Sequence, residues 1–440
     1  MTDKQTSSNK SESSLDFKRV LPVFVIVLID LLGLTIIIPL LPLYAASFGA
    51  NPLLIGLLSA SYPLMQFFGA PILGRLSDRY GRRPVLLVSQ VGTLIGFIIL
   101  GLANSLAILF LSRIIDGLSG ANIATAQAVI TDSTDESNRT QGLGLIGAAF
   151  GLGFIIGPII AFIVLAASNN NYSLVAFVAA GFSLASILLT YFWLPETLPP
   201  EKRGKSTGRP SVGLRAMREA LSRPAISFFL LLMFFYQFAF GGYEYLLALF
   251  TLDRLGMNAS ANSGLFVYAG VIIVAVQGYF VGRWSRRFGD RWLVIFGLSA
   301  LSVGLILTAI VPRQAVPWYS RAELQAEISA ESAEEIRVSL PDDDDTGWLG
   351  LGWLLVATIP AAVGGGIMQP TINSLLTKQV SAAEAGGILG LSTSFFSAAN
   401  AITPVALGAI FNWFGSTPPF LIAGLVMLAL IPLSRSRIPL

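Results

Sequence analysis

Twelve stretches of this chain are each apolar for about 20 residues, the length that crosses the hydrocarbon core of a bilayer. They lie near 20–46, 52–73, 84–103, 106–130, 141–166, 173–194, 225–251, 261–281, 292–311, 348–369, 387–411 and 418–433. So many apolar segments in 440 residues leave no room for an ordinary soluble domain. Composition agrees, with 54% hydrophobic and only 12% charged residues, about half the charged share of a soluble domain. The expected class is an all-α membrane protein. Soluble enzymes, coiled coils, disordered chains and nucleic-acid binders are excluded. Neither Cys nor His occurs, so disulfides, thiolate chemistry and the usual metal ligands are absent, and no metal site or cofactor is expected. Any proton chemistry must run on carboxylates.

The position of the charges predicts the orientation. With the N-terminus in the cytoplasm, 23 of the 28 Lys and Arg fall in the N-tail (1–19), the C-tail (434–440) and the loops after even-numbered spans. The opposite loops hold only Arg254, Arg313, Arg321 and Arg337, and Arg113 alone lies inside a span. Positive charge concentrates on the cytoplasmic side, so both termini are expected there, in a cell (inner or plasma) membrane. The N-tail is polar and Ser-rich and lacks a signal-peptide cleavage site.

Two loops set the domain organisation. Residues 195–224 are basic and rich in Pro and Gly, and they separate six spans (20–194) from six more (225–433) as a cytoplasmic linker. Residues 312–347 form the only large outer loop, with nine acids against three Arg. It is expected to be a solvated cap with a short helix near 321–337. Cation binding by Asp342 to Asp345 is the alternative, but no calcium-loop spacing supports it.

The two halves repeat. GRLSDRYGRR at 74–83 matches GRWSRRFGDR at 282–291 in six of ten positions, an offset of 208. Gly56 and Gly264 share that offset, whereas Thr131/Thr377, Leu143/Leu389, Gly144/Gly390, Leu145/Leu391 and Pro158/Pro404 are 246 apart. The difference of 38 residues is about the size of the acidic loop after span 9. Two six-helix bundles related by duplication can rock about a midplane site, the geometry of alternating access.

At this point the residues match a known family. Gly74-Arg-Leu-Ser-Asp78-Arg79-Tyr-Gly81-Arg82-Arg83-Pro84 resembles the signature loop of the major facilitator superfamily. Arg113-Ile-Ile-Asp116-Gly117-Leu-Ser-Gly120-Ala121 resembles its span-4 motif. Gly147, Gly151, Gly157 and Pro158 resemble the antiporter motif of drug exporters, and Gly33 with Pro39 and Pro42 resembles the first-helix motif of twelve-span drug:proton antiporters. The resemblance covers nearly the whole chain and looks closest to the tetracycline and multidrug exporter branch. It implies the major facilitator fold, with 12 transmembrane helices in two pseudo-symmetric six-helix bundles. It also implies a cytoplasmic latch built from Gly74, Asp78, Arg79, Gly81, Arg82 and Arg83, which breaks when the pore opens inward. The second-half counterpart of Asp78 is Arg286, so the latch is expected to be one-sided. Tetracycline exporters usually carry further acids in spans 3 and 9 and a His. Their absence here argues against a tetracycline–metal substrate and leaves proton-driven export in place.

Four ionisable residues lie within spans: Asp30, Arg113, Asp116 and Glu244. Burial of such groups is costly, so a functional role is the default expectation. Arg113 and Asp116 are three apart and face the same way; Asp116 either holds a structural ion pair or alternates between Arg113 and a proton. Asp30 has no opposite charge at helical spacing, and exporters of the resembling branch place a proton-carrying acid in span 1. Its alternative is a structural bond to another helix. Glu244 follows Gly241-Gly242, a pair expected to loosen span 7 at a gate, and lies among Tyr236, Phe238, Phe240, Tyr243 and Tyr245. It is either part of transport or merely interfacial. Candidate cavity residues are Gln66, Asn122, Gln127, Tyr236, Gln237, Gln369, Asn373 and Asn400, with Gln277 a further buried polar group. Side chains of this kind also serve as glue between helices.

The expected function is export of hydrophobic small molecules, drug- or tetracycline-like, in exchange for protons, as in antibiotic resistance. No ATP-binding loop of the GxxxxGK[ST] form occurs, so a secondary transporter is expected rather than an enzyme or an ATP-driven pump. The expected partners are a small-molecule substrate, protons and the bilayer, with the chain as a monomer. The alternatives are a proton-coupled or passive importer of a metabolite and a non-transporting receptor or assembly factor on the same fold.

Overall fold

The computed structural model describes residues 17–120, 122–134, 139–204, 218, 221–329, 339–380 and 382–438. Most of the N-tail and half of the linker therefore lie outside the described residues. The described chain is helical throughout, apart from short loops and one isolated bridge between Ala315 and Thr346. Eleven helices are long and apolar enough to cross a membrane. Two of these crossings are interrupted. Span 1 is Phe17–Ile37, prolonged by Leu41–Ser47. Span 8 is Ala259–Ala275 followed by a π-helical turn, Val276–Phe280, and Val281–Phe288.

The predicted fourth span is not among these eleven. It consists of Leu106–Ser119 and Asn122–Ser133, parted at Gly120. A break at membrane depth frees backbone groups that lipid cannot bond. Here Gln66 of span 2 donates its Nε2 to the Gly120 carbonyl at 2.8 Å. A methyl group at Gly120 would collide with the Tyr62 hydroxyl, so this crossing needs a glycine there.

The remaining spans are Pro52–Tyr80, Arg82–Gly101, Arg139–Ala167, Tyr172–Trp193, Pro224–Leu255, Asp290–Ala309, Leu349–Thr377, Ala382–Phe414 and Thr417–Arg437. Several overrun their predicted borders by one or two turns at one end of the bundle. Residues 74–80, expected as loop, are helical, and Gly81 alone makes the turn into span 3.

The two ends of the molecule are built differently. One end, the cap end, carries the 312–347 loop with its helix Arg321–Ser329. There Asn51, Asn171 and Asn258 cap spans 2, 6 and 8 through bonds of 2.8–3.1 Å to Leu54, Leu174 and Ala261. The other, the basic end, carries residues 74–83 and 282–291 and the linker. The bundles meet most closely from the middle of the membrane to the cap end. Gly56 lies against the Pro404 carbonyl, Gly408 against that of Pro52, and Gly270 against that of Phe154. The Ser260 amide also donates to Asn170 Oδ1 at 2.9 Å. Towards the basic end, Gly74 of span 2 and Gly278 of span 8 face open space.

Candidate functional site

Span 4 supplies the most buried charges. Arg113 Nη1 lies 3.1 Å from Asp116 Oδ2, and the two side chains are only 2% exposed. The guanidinium sits over the Phe97 ring, 5.6 Å from its centroid. Asp116 lies within electrostatic reach of Thr93 of span 3, and Gly96 lets span 3 approach its Cβ closely. Arg113 Nη2 has no hydrogen-bond partner among the described residues. The expected i,i+3 pair is therefore formed, and one donor is left over.

Asp30 is half-buried in span 1. The Tyr62 phenol of span 2 lies within electrostatic reach of Asp116, Asp30 and Arg113, and of Tyr245 from the second bundle. Tyr245, in turn, is within reach of Glu244, as are Tyr236 and Tyr243. Tyr62 and Tyr245 thus link the first-bundle charges to Glu244. Sequence reading did not single out Tyr62; its place one turn before Gln66 is the signal that was available. Glu244 is half-buried and has no ion-pair or hydrogen-bond partner among the described residues. The helix around it is continuous from Pro224 to Leu255, so Gly241-Gly242 does not loosen it. Those glycines make room for side chains instead: a methyl at Gly242 would overlap Leu407 of span 11, and one at Gly241 would crowd Gln237 of the same helix, which bonds Asn400 of span 11.

The polar candidates divide into two groups. Tyr236 is 3% exposed and donates to the Gly365 carbonyl at 2.9 Å, which ties span 7 to span 10. Gln237 donates to Asn400 Oδ1 at 2.7 Å, and Asn373 accepts from Ser392 at 2.8 Å. Gln66 is committed to Gly120. Gln127 and Gln277 are exposed and Gln369 is half-buried, so these three retain more freedom to meet a ligand. The side chain of Asn122 lies outside the described residues.

In the antiporter-like stretch, a side chain at Gly157 would overlap Thr35 of span 1, and one at Gly153 would touch Leu31. Gly151 instead points towards Gln277 of span 8, 4.0 Å from the place its Cβ would take. Pro158 lies inside the same helix. One span thus packs on its own bundle with one glycine face and on the opposite bundle with another. Gly147 lies outside the described side chains.

The repeat loop at 74–83 is saturated by its own bundle. Arg82 is 3% exposed and bonds Asp78 Oδ1 at 2.6 Å, Asp132 Oδ2 at 2.9 Å and Ser77 Oγ at 2.7 Å. Glu196 accepts the Arg82 and Arg83 amides at 2.9 and 3.2 Å, so a carboxylate from the end of span 6 caps span 3. Arg83 donates to the carbonyls of Thr190 and Tyr191, and Arg79 stacks on Tyr80. Asp78 is 41% exposed on its side chain, and its carbonyl accepts from Gly204 of the linker at 3.0 Å. In this conformation the bonds of Asp78 stay within the first bundle and the linker.

The second loop repeats this pattern with the charges reversed. Asp290 occupies the place of Arg82. It bonds Lys378 at 2.6 Å and Ser374 at 2.8 Å, and it also accepts from Ser285. Lys378 stands where Asp132 stands in the first half, at the offset of 246 already seen for Thr131 and Thr377. Asp132 and Glu196 were not singled out as site residues; for Asp132, carrying the repeat one position further would have found it.

The 312–347 cap is anchored by Asp253, which accepts from Ser339 and lies 3.7 Å from Arg313. Asp342 and Asp343 bond Arg321, and Asp345 bonds Gln314. Glu327 of the cap helix receives Asn258 Nδ2 at 3.3 Å and lies within electrostatic reach of Asn170 of the first bundle. Burial pushes its carboxyl above the usual Glu range, and the two amides partly oppose this.

Comparison with known proteins agrees with this architecture. The family model for the Major Facilitator Superfamily matches residues 23–320. Tetracycline resistance protein class B of Escherichia coli is 29% identical over 397 residues, which cover 88% of this chain and 87% of that protein. Major facilitator superfamily domain-containing protein 10 of Mus musculus is 25% identical, covering 93% and 90% of the two chains. The crystal structure of the human organic anion transporter MFSD10 superposes with a TM-score of 0.62 at 24% identity, covering 95% of this chain and 99% of that one. The crystal structure of the nucleoside transporter NupG superposes at 0.67 with 13% identity, covering 95% and 98%. The repeated bundles, the two related basic loops and this match over most of the chain lead to one conclusion: the protein is a membrane transporter, not an enzyme, and belongs to the major facilitator superfamily.

Proposed function

We propose that this protein exports hydrophobic small molecules in exchange for protons. The carrying observation is the set of carboxylates at membrane depth: Asp116 against Arg113, half-buried Asp30, and Glu244 without a partner among the described residues. Packing alone does not require three such acids, because apolar side chains would fill the same volume at lower cost. The charge distribution supports cytoplasmic termini and a plasma-membrane location, which makes the basic end the inner one. The conformation closed at the cap end then faces inward. In the cycle, a proton arriving from outside neutralises one of the carboxylates and favours release of substrate outward. Loss of that proton to the cytoplasm resets the carrier.

Asp78 serves as the latch residue in this reading. Its exposed carboxylate exchanges the Arg82 contact for one across the bundle seam when the inner end closes. The chain works as a monomer, with no ion other than the proton required. The relatives' names include both tetracycline resistance and organic anion transport, so the screen for substrates spans both chemistries.

The test is proton release from purified protein on addition of candidate substrates, paired with transport in proteoliposomes. Coupling predicts release that is abolished in Asp116→Asn and reduced in Asp30→Asn and Glu244→Gln. Transport without proton movement would identify a passive carrier. Uptake opposite to the expected direction would identify an importer. Binding without transport would point to a receptor, and the absence of both to an assembly factor.

A further inference from the structure

We infer that the cytoplasmic-type loop of the second bundle, centred on Arg283, Arg286 and Arg287, is a binding site for the headgroup of an anionic phospholipid. The contrast with the first loop carries the inference. There, the Arg82 side chain is consumed by Asp78 and Asp132 and that of Arg83 by two backbone carbonyls. Arg75 and Arg79, the counterparts of Arg283 and Arg287, are exposed too, but an acid, Asp78, stands between them where the second loop has Arg286. In the second loop the one acid, Asp290, is taken by Lys378, Ser374 and Ser285. Arg283, Arg286 and Arg287 are exposed and have no carboxylate partner among the described residues. Their spacing of three and four puts them on one helical face.

An aromatic ladder runs beside that face. Phe280 packs on Trp284 with centroids 4.9 Å apart, Trp284 on Phe296 at 5.9 Å, Phe296 on Trp292 at 4.9 Å, and Trp292 on Phe288 at 4.8 Å. Phe280, Phe288 and Trp292 are each at least 37% exposed. The positions 208 earlier are Ile72, Leu76, Tyr80, Pro84 and Val88, so the ladder belongs to the second bundle alone. Aromatic rings with an apolar body favour headgroup depth in a bilayer, and guanidinium groups bind phosphate in a fork. Phe288 and Trp292 also line a cavity of about 500 Å³ whose lining mixes Arg291, Lys378 and the Lys378-paired Asp290 with Phe229, Leu375 and Ile438. A phosphate with an acyl chain matches this mixture of cations and apolar side chains. A free phosphate uses the arginines but not the rings.

The test uses the full-length protein in nanodiscs of phosphatidylcholine doped with a small fraction of brominated phosphatidylglycerol or brominated phosphatidylcholine. Bromine quenches nearby indoles, and Trp284 and Trp292 lie in the ladder. The expected result is stronger quenching by the anionic lipid, lost in the triple variant Arg283→Gln/Arg286→Gln/Arg287→Gln. Each removed charge lowers the preference about fivefold. Arg75→Gln, which removes the exposed counterpart of Arg283 in the first loop, is the control and retains the preference. Trp284→Phe/Trp292→Phe, with monodispersity checked, removes the selective signal if the site is here. Equal quenching by both lipids overturns the proposal, as does a preference that survives the triple variant. Competition by inorganic phosphate equal to that by lipid would also overturn it, because the site would then read phosphate alone.

Discussion

The two basic loops, 74–83 and 282–291, share six of ten residues and the same helix–glycine–helix turn, yet they use their charges in opposite ways. The first buries an arginine between two carboxylates and caps the next helix with a third. The second buries an aspartate, draws its main cation from an exposed lysine and leaves its arginines facing outward. The lesson is that a duplicated turn preserves backbone geometry while its charge network is free to invert. What matters for the turn is that the opposite charges remain complementary at the repeat positions.

The largest expected effect comes from breaking the closed network. Arg82→Gln removes the buried guanidinium that bonds both Asp78 and Asp132, at a cost of about 3 kcal/mol, the low end for a buried pair because Asp78 is 41% exposed. Thermal unfolding in detergent should show it clearly, whereas the exchanged pair Arg82→Asp/Asp132→Lys, which copies the second loop, should recover much of the loss. The two turn glycines come next. Gly81 has φ of 109° and Gly289 of 82°, a region that side chains disfavour by roughly 1–2 kcal/mol. Gly81→Ala should cost more than Gly289→Ala, because only at Gly81 would a methyl strike a neighbour, the Glu196 carboxylate. Equal losses would show that backbone strain alone decides.

Lys378→Gln should be milder than Arg82→Gln, about 1–2 kcal/mol, because the lysine side chain is 62% exposed while the buried Asp290 keeps the hydroxyls of Ser285 and Ser374. A loss as large as that of Arg82→Gln would remove the asymmetry between the two loops.

The smallest effect concerns the closed cap end. Glu327 is protonated more readily when docked between Asn258 and Asn170 than when free. Docking is therefore at full strength at pH below the ordinary Glu value and weakens as pH rises through the raised one. Hydrogen exchange of the cap helix should increase over that interval in the wild type and stay flat in Glu327→Gln. An unchanged pH dependence in the variant would assign the effect to another group.

Much of the fold was legible because lipid allows few solutions. A run of about 20 apolar residues has to be a helix, and loop charge follows topology. The paired charges of span 4 were equally legible, since three-residue spacing fixes their shared face. The break at Gly120 was not, because it depends on Tyr62 and Gln66 from another span filling and bonding the gap. The fate of Tyr236 and Gln237 was also hidden: their polarity suited a cavity, but their partners, the Gly365 carbonyl and Asn400, lie more than 120 residues away.

The sequence by itself determined the spans, the duplication, the predicted sidedness and which few charges lie at membrane depth. Each of these follows from local composition and from the cost of placing polar groups in hydrocarbon. Only the tertiary structure decided which charges are spent on one another. Arg82 and Arg283 look alike along the chain. One is enclosed by carboxylates from spans 2 and 4, and the other faces outward, because the neighbours that satisfy a charge come from distant segments.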